Sequence, residues 1–251
     1  MLTSTYTLDL LYEDQWITLV NKPSGLLVHP SWISHPDEPT LVGLLKERYP
    51  DQVVHTVHRL DRATSGVILF ARDKDAVKSL NAQFAEGSVK KTYLCVVRGW
   101  TDDEGTIDYA LKPIYDKFAD PLADPDKAPK PAITHYKTLA RVELPIPVGR
   151  YPVARYSLVR VQPETGRKHQ IRRHMKHILH PLVGDTNHGE GRHNRLFREH
   201  FDCHRLLLMA TELHCQHPVT QAPLHFKAPL DAQTLSVFDR LGWENIQLFE
   251  V

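Results

Sequence analysis

His58-Arg59-Leu60-Asp61-Arg62-Ala63-Thr64-Ser65-Gly66 runs directly into Val67-Ile68-Leu69-Phe70-Ala71. The second half is a short apolar run bounded by a turn signal, which reads as a fully buried strand. The first half sets an aspartate between two arginines in a Thr-Ser-Gly turn at the mouth of that strand. Nearby cations keep a carboxyl ionised, and an ionised carboxylate suits the work of a nucleophile or a base. The plainer reading is a turn aspartate that caps local N–H groups and pairs with Arg62. Spacing alone does not separate the two.

Outward from this stretch, residues 16–20 read as a strand that ends at Asn21-Lys22-Pro23-Ser24-Gly25. Residues 75–85 read as a helix, with Val77, Leu80 and Phe84 on one face and Gly87 placed for a C-terminal cap. Residues 91–97, 133–139, 154–161 and 206–215 read as further strands, residues 168–178 as a helix after Thr165-Gly166, and residues 232–241 as a terminal helix. Strand follows strand with few helices between, so the pattern predicts an α+β fold with a mixed, mostly antiparallel sheet rather than a βαβ repeat. The 251 residues are long enough for a substantial core. They are read as one domain spanning 1–251. Residues 113–131 carry five prolines and four aspartates and read as one long loop, a kind that is usually functional when ordered.

Composition narrows the classes. The chain is 41% hydrophobic and 24% charged, as in an ordinary globular protein. Its apolar runs fall far short of the roughly 18 residues a membrane span needs, and the first residues lack the pattern of a secretion signal. Cys95, Cys203 and Cys215 are odd in number and form no CxxC pair, which fits a reducing cytoplasm. A cytoplasmic protein is expected.

The formal charge of +1 conceals a strong asymmetry. Between residues 101 and 126, eight acids against two lysines give −6. Between residues 150 and 180, eight bases against Glu164 alone give +7, with four histidines besides. A solvated charged face is the plain reading of such a run; an anionic ligand docked on it is the sharper one. Within it, Thr165-Gly166-Arg167-Lys168-His169-Gln170-Ile171-Arg172-Arg173 sets a glycine turn before donors suited to phosphate or carboxylate. There is no GxGxxG after a strand, no Walker A sequence and no GxSxG elbow. Sixteen histidines raise the question of a metal. His174, His177 and His180 are spaced by three, and His200 and His204 by four, but no cysteine pair or HxE signature accompanies them. Neither a metal nor a nucleotide cofactor is expected.

At these residues the sequence resembles the RluA family of pseudouridine synthases. The stretch from His58 to Gly66 is similar to the family's catalytic motif. Lys22-Pro23-Ser24-Gly25-Leu26-Leu27-Val28-His29 resembles its first motif, Lys90-Lys91-Thr92-Tyr93 its tyrosine motif, and residues 165–172 its TGRxHQIR motif. The resemblance implies a curved sheet around a central cleft and isomerisation of a uridine in structured RNA. It makes Asp61 the catalytic residue, Tyr93 the aromatic stacked on the uracil, and Arg172 the partner of the aspartate. Arg59 would fill the gap left by the extruded uridine and Leu208 would pack on the base. The segment from Arg205 to Ala210 resembles the family's last motif, with Met209 where the family commonly has histidine, which weakens a polar role there and leaves the apolar contact of Leu208. Arg62, Arg167, Lys168 and His169 complete the expected RNA-binding set.

These roles agree with the chemistry. Breaking an N-glycosidic bond, turning the uracil and rejoining it through carbon 5 requires base extrusion, which stacking and an intruding side chain offset. Positive charge developing at the anomeric carbon is stabilised or trapped by a carboxylate. The residue types admit attack on the ribose, attack on the uracil and abstraction of a ribose proton alike.

Finer segments are similar to the TruC subgroup: Asp116-Lys117-Phe118, Pro131-Ala132-Ile133-Thr134-His135-Tyr136, Gly149-Arg150-Tyr151-Pro152 and Gly184-Asp185-Thr186-Asn187-His188-Gly189. This implies uridine 65 of the tRNA T-arm as target, with another tRNA position or an rRNA loop as the alternative. With the Lys22-Pro23 motif within about twenty residues of Met1, no N-terminal S4 domain is expected, and neither a membrane partner nor, without a coiled-coil or swap element, an oligomer. A non-catalytic RNA-binding protein with the same basic stripe is the contrasting class, and a metal-dependent hydrolase the third.

Overall fold

The chain begins with β1 (Leu10–Glu13) and β2 (Ile17–Lys22), then α1 (Leu41–Arg48), β3 (His55–Thr56), β4 (Ser65–Ala71) and α2 (Lys74–Glu86). It continues through β5 (Lys90–Arg98), β6 (Glu104–Asp108), β7 (Ile133–Leu144), β8 (Ala154–Pro163), α3 (Gln170–His177) and α4 (Gly191–Phe201). It closes with β9 (Leu208–Gln216), β10 (Pro223–Lys227) and α5 (Ala232–Arg240). The structure is a computed structural model that describes residues 6–30, 35, 37–114, 127–244 and 246. Two compact units emerge: residues 1–91 with 210–229, and residues 92–209 with 230–251.

In the first unit the strand order is β1-β2-β4-β9, with β3 on β4 and β10 on β9. All seven residues of β4 are buried, as a continuous apolar run requires of a strand covered on both faces. Opposite it, Ile17, Leu19 and Val20 of β2 are buried as well. The helix α2 is stopped and started by its own residues. Asp73 accepts from the N–H groups of Asp75 and Ala76, and Gly87 takes the left-handed conformation at φ 73°, a cap contribution of about 1 kcal/mol at the N-terminus.

In the second unit the order is β5-β8-β7-β6. Leu94, Val96, Tyr156 and Leu158 from the sheet pack with Leu196, Phe197 and Phe201 of α4 and with Val237 and Phe238 of α5. The Tyr156 and Phe197 rings meet edge to face at 4.8 Å. Each strand pair with a described register, β1/β2, β2/β4, β3/β4, β9/β10, β5/β8, β6/β7 and β7/β8, is antiparallel, in keeping with the expected α+β class.

Several elements differ from the sequence reading. The strand expected over 133–139 runs on to Leu144. The strand expected over 154–161 runs on to Pro163. The acidic stretch holds a strand, β6, and β1, α1, α4 and β10 were not foreseen. Of the long loop over 113–131, residues 115–126 lie outside the described residues, as does the Asp116-Lys117-Phe118 segment. Its ends meet where Leu111 and Lys130 exchange backbone hydrogen bonds of 2.9 and 3.0 Å.

Candidate active site

The strands β2 and β4 pair with Lys22 opposite Gly66. The turn that leaves β2 therefore lies against the turn that enters β4, and Asp61 sits in the latter. Lys22 is 0% exposed. Its ammonium donates to the carbonyls of Pro23, Leu26 and Arg62 at 2.9, 2.9 and 3.0 Å. A buried charge is tolerable only when its hydrogen-bonding capacity is met. Ser24 Oγ donates to the Ala63 carbonyl at 2.7 Å. The Gly25 N–H donates to the Arg62 carbonyl, and Arg62 Nε returns a bond to the Gly25 carbonyl, each at 2.9 Å. The two sequence motifs are thus halves of one clamp. The Thr64 N–H donates to the Asp61 carbonyl at 3.1 Å and closes the turn, leaving the Asp61 side chain half-buried.

Two neighbours fix this turn on its strand. His58 stacks on Phe84 with centroids 4.9 Å apart, and its Nε2 accepts the Leu69 N–H at 2.9 Å. Burial, helped by the Lys91 charge, pushes the His58 pKa down to about 3, so the ring is neutral with its proton on Nδ1. Gly66 has φ +107°, and a Cβ there would lie 2.0 Å from the Ala210 carbonyl oxygen. Only glycine allows β9 to approach β4 at that point.

Arg59 is exposed, close enough to add to the burial that depresses the His29 pKa. Arg62, expected to bind RNA, spends Nε on Gly25 and pairs with Glu38. It holds the turn as well as displaying charge.

In the second unit Tyr93 is half-buried on β5 opposite Val161 of β8. Gln170 organises the basic motif: its carbonyl accepts from Thr165 Oγ1 at 2.7 Å and the Arg167 N–H at 3.0 Å. Its amide donates to the Ile133 carbonyl and Thr134 Oγ1. Arg172, on the first turns of α3, is buried and makes a two-pronged pair with Asp185, Nε to Oδ2 at 2.6 Å and Nη2 to Oδ1 at 2.8 Å. Asp185 also accepts the N–H groups of Asn187 and His188, both at 2.9 Å. Burial opposes its ionised form, but Arg172 and these N–H groups outweigh it and hold the carboxyl below the usual range. Asp185 is the functional candidate that sequence reasoning missed; its only signal was a place in the Gly184-to-Gly189 segment. Gly184, at φ +79°, brings that segment against the Arg205 carbonyl, 1.9 Å from where a Cβ would stand.

Lys168 is exposed and Leu208 and Met209 are buried. Arg167 donates from Nε to the Pro131 carbonyl at 3.0 Å. His169, not Gly166, carries the left-handed backbone, at φ 56°, and its Nδ1 meets His188 Nε2 at 2.8 Å. Nothing lies within 4 Å of a Cβ at Gly166, so that glycine leaves open space beside the donors.

The histidine spacings that raised a metal reading do not converge. His174 Nδ1 meets Thr134 Oγ1 at 2.9 Å and its Nε2 donates to the Tyr109 carbonyl at 3.0 Å. His177 stacks on Tyr109 at 3.7 Å, and His180 Nδ1 donates to the Arg98 carbonyl. His204 meets Asp202.

Comparison with known proteins places this geometry in context. The RNA pseudouridylate synthase family matches residues 17–177. The chain is 49% identical over 239 residues to tRNA pseudouridine synthase C of Pectobacterium carotovorum subsp. carotovorum, covering 95% of this chain and 63% of that protein. It is 46% identical over 237 residues to tRNA pseudouridine synthase C of Vibrio parahaemolyticus, covering 94% and 96%. Among solved structures, human RNA pseudouridylate synthase domain containing 1 superposes with a TM-score of 0.67 at 25% identity, over 95% of this chain and 96% of that one. No helix among the described residues is long and apolar enough to cross a membrane.

Proposed function

Because the chain belongs to the RNA pseudouridylate synthase family, we propose that it isomerises a uridine of tRNA to pseudouridine, with uridine 65 of the T-arm as its target. The carrying observation is the clamp on the Asp61 turn, in which Lys22, Ser24 and Gly25 hold the backbone of Arg62 and Ala63. Such rigidity is what a carboxylate needs if it is to meet a reacting sugar or base without reorganising.

In this reading Asp61 acts on the nucleoside, Arg172 has the counter-ion role that the family resemblance implies, and Tyr93 stacks on the uracil. Asp185 positions Arg172. Arg59 occupies the gap in the RNA stack, and Leu208 gives the base an apolar wall. Arg167, Lys168 and His169, with Arg62, meet phosphates. The chain works as a monomer, in the cytoplasm, without a nucleotide cofactor. The subgroup segments and the names of the relatives support tRNA over an rRNA loop.

The test incubates chelator-treated protein with unmodified tRNA transcripts and maps pseudouridine by chemical probing. Product at position 65 is expected, and no product on any tRNA or rRNA would sink the enzyme reading. Asp61→Asn should lower the rate by on the order of 10⁴ or more while tRNA affinity persists; equal product would refute the assigned role.

A further inference from the structure

The hairpin of β9 and β10 gathers three ligating side chains that the uridine chemistry does not use. His214 and His225 are directly opposed in its register. Their rings stack with centroids 3.6 Å apart and planes within 20°. Glu212, two residues before His214, lies on the same face of β9, as strand alternation demands. Its Oε2 is 2.8 Å from His225 Nε2 and 3.7 Å from His214 Nε2, and one ligand atom from each of the three falls within 4.8 Å of the others. From this convergence we propose that Glu212, His214 and His225 bind one divalent transition-metal ion of the zinc type.

Three observations favour an ion over a simple hydrogen-bonded cluster. The first is donor type. Two imidazole nitrogens and one carboxylate oxygen form a borderline set that suits zinc and its neighbours and is poor for calcium or magnesium, which take oxygen ligands. The second is spacing. Bonds of about 2.0–2.1 Å at tetrahedral angles put ligand atoms about 3.3 Å apart; the 3.7 Å between Glu212 Oε2 and His214 Nε2 is near that edge and too long for a hydrogen bond, while the 2.8 Å contact to His225 is a hydrogen bond that the ion would replace. The third is access. The Glu212 side chain is 4% exposed, whereas those of His214 and His225 are 44% and 37% exposed. The carboxylate is seated in the protein while the imidazoles open to solvent, from which an ion and a water as fourth ligand would come. Lys227, opposite Glu212 in the register, is the competing cation at this carboxylate.

The ligands come from both strands, and β10 pairs with β9 off the main strand path. A bound ion would therefore staple an outlying strand to its neighbour, and binding would be coupled to the order of the hairpin.

The experiment is equilibrium dialysis of the full, tag-free chain against Zn²⁺, with the imidazole resonances followed by NMR. One ion per chain is expected, with the His214 and His225 signals moving together. His214→Gln and His225→Gln should each weaken binding at least about 10-fold, since even partners outside the coordination sphere contribute that much. Glu212→Gln provides a third variant should one of the others fail to fold. His200→Gln/His204→Gln, which changes two histidines outside the hairpin, should leave affinity as it was. The proposal is overturned if no zinc is retained at tens of micromolar, or if affinity survives loss of either hairpin histidine. Binding is read without RNA or turnover, so the result is independent of the uridine reading.

Discussion

The two regions that carry the motifs are held by opposite chemistries. The turn that presents Asp61 is anchored through its backbone by cations: Lys22 is buried on the Arg62 carbonyl, and the Arg62 guanidinium closes on Gly25. The helix that presents Arg172 is anchored through its side chain by an anion, Asp185. The difference predicts different failures. Losing the first anchor should disorder a loop, whereas losing the second should leave the fold and weaken the hold on one buried charge.

Lys22→Met breaks the comparison most severely. The carbonyls of Pro23 and Leu26 lose their donor and that of Arg62 keeps only the Gly25 N–H, at about 1–3 kcal/mol each, so a loss of about 5 kcal/mol in denaturant unfolding is expected, with hydrogen exchange in residues 61–64 rising sharply. Asp185→Asn should cost about 3–4 kcal/mol, because it removes the two-pronged carboxylate partner of the buried Arg172, with exchange at 61–64 unchanged. Its pH dependence sharpens the point. Asp185 has a lowered pKa, so the stabilisation is present above the ordinary carboxylate value and is lost as pH falls through the folded one. The variant should lack that acid limb.

His58 gives the first region an acid limit of its own. Its pKa is pushed down to about 3, so below the ordinary histidine value the unfolded chain takes up a proton that the folded chain refuses. Stability should fall with pH between about 6.5 and about 3, by at most about 1.4 kcal/mol per unit. His58→Gln, which retains an acceptor for the Leu69 N–H, should flatten that slope in a pH series of unfolding curves. The smallest effect is reserved for Lys168→Ala. Stability should change by less than about 0.5 kcal/mol, while the salt dependence of tRNA binding should lose roughly one unit of slope.

Much of this was legible in the sequence. The run from His58 to Ala71 declared both the turn and the buried strand, and Gly87 declared the end of α2. What escaped detection depends on tertiary partners. The helix α4 buries only Asn194, Leu196, Phe197 and Phe201 among charged neighbours and is capped by Glu190, so neither its periodicity nor its start was distinctive. The Arg172–Asp185 pair joins residues on separate elements, and nothing in their spacing marks them as partners. Lys22 was visible only as part of a motif. That its ammonium is buried follows from the pairing of β2 with β4, which no local pattern encodes.

The burial of Lys22 also makes its amine a chronometer. Amine-reactive reagents need an accessible amine, and Lys22 is buried while its three carbonyl bonds stand. Modification must wait for the turn to open, so the labelling rate of Lys22, set against that of an exposed lysine such as Lys168, measures how often the Asp61 turn lets go.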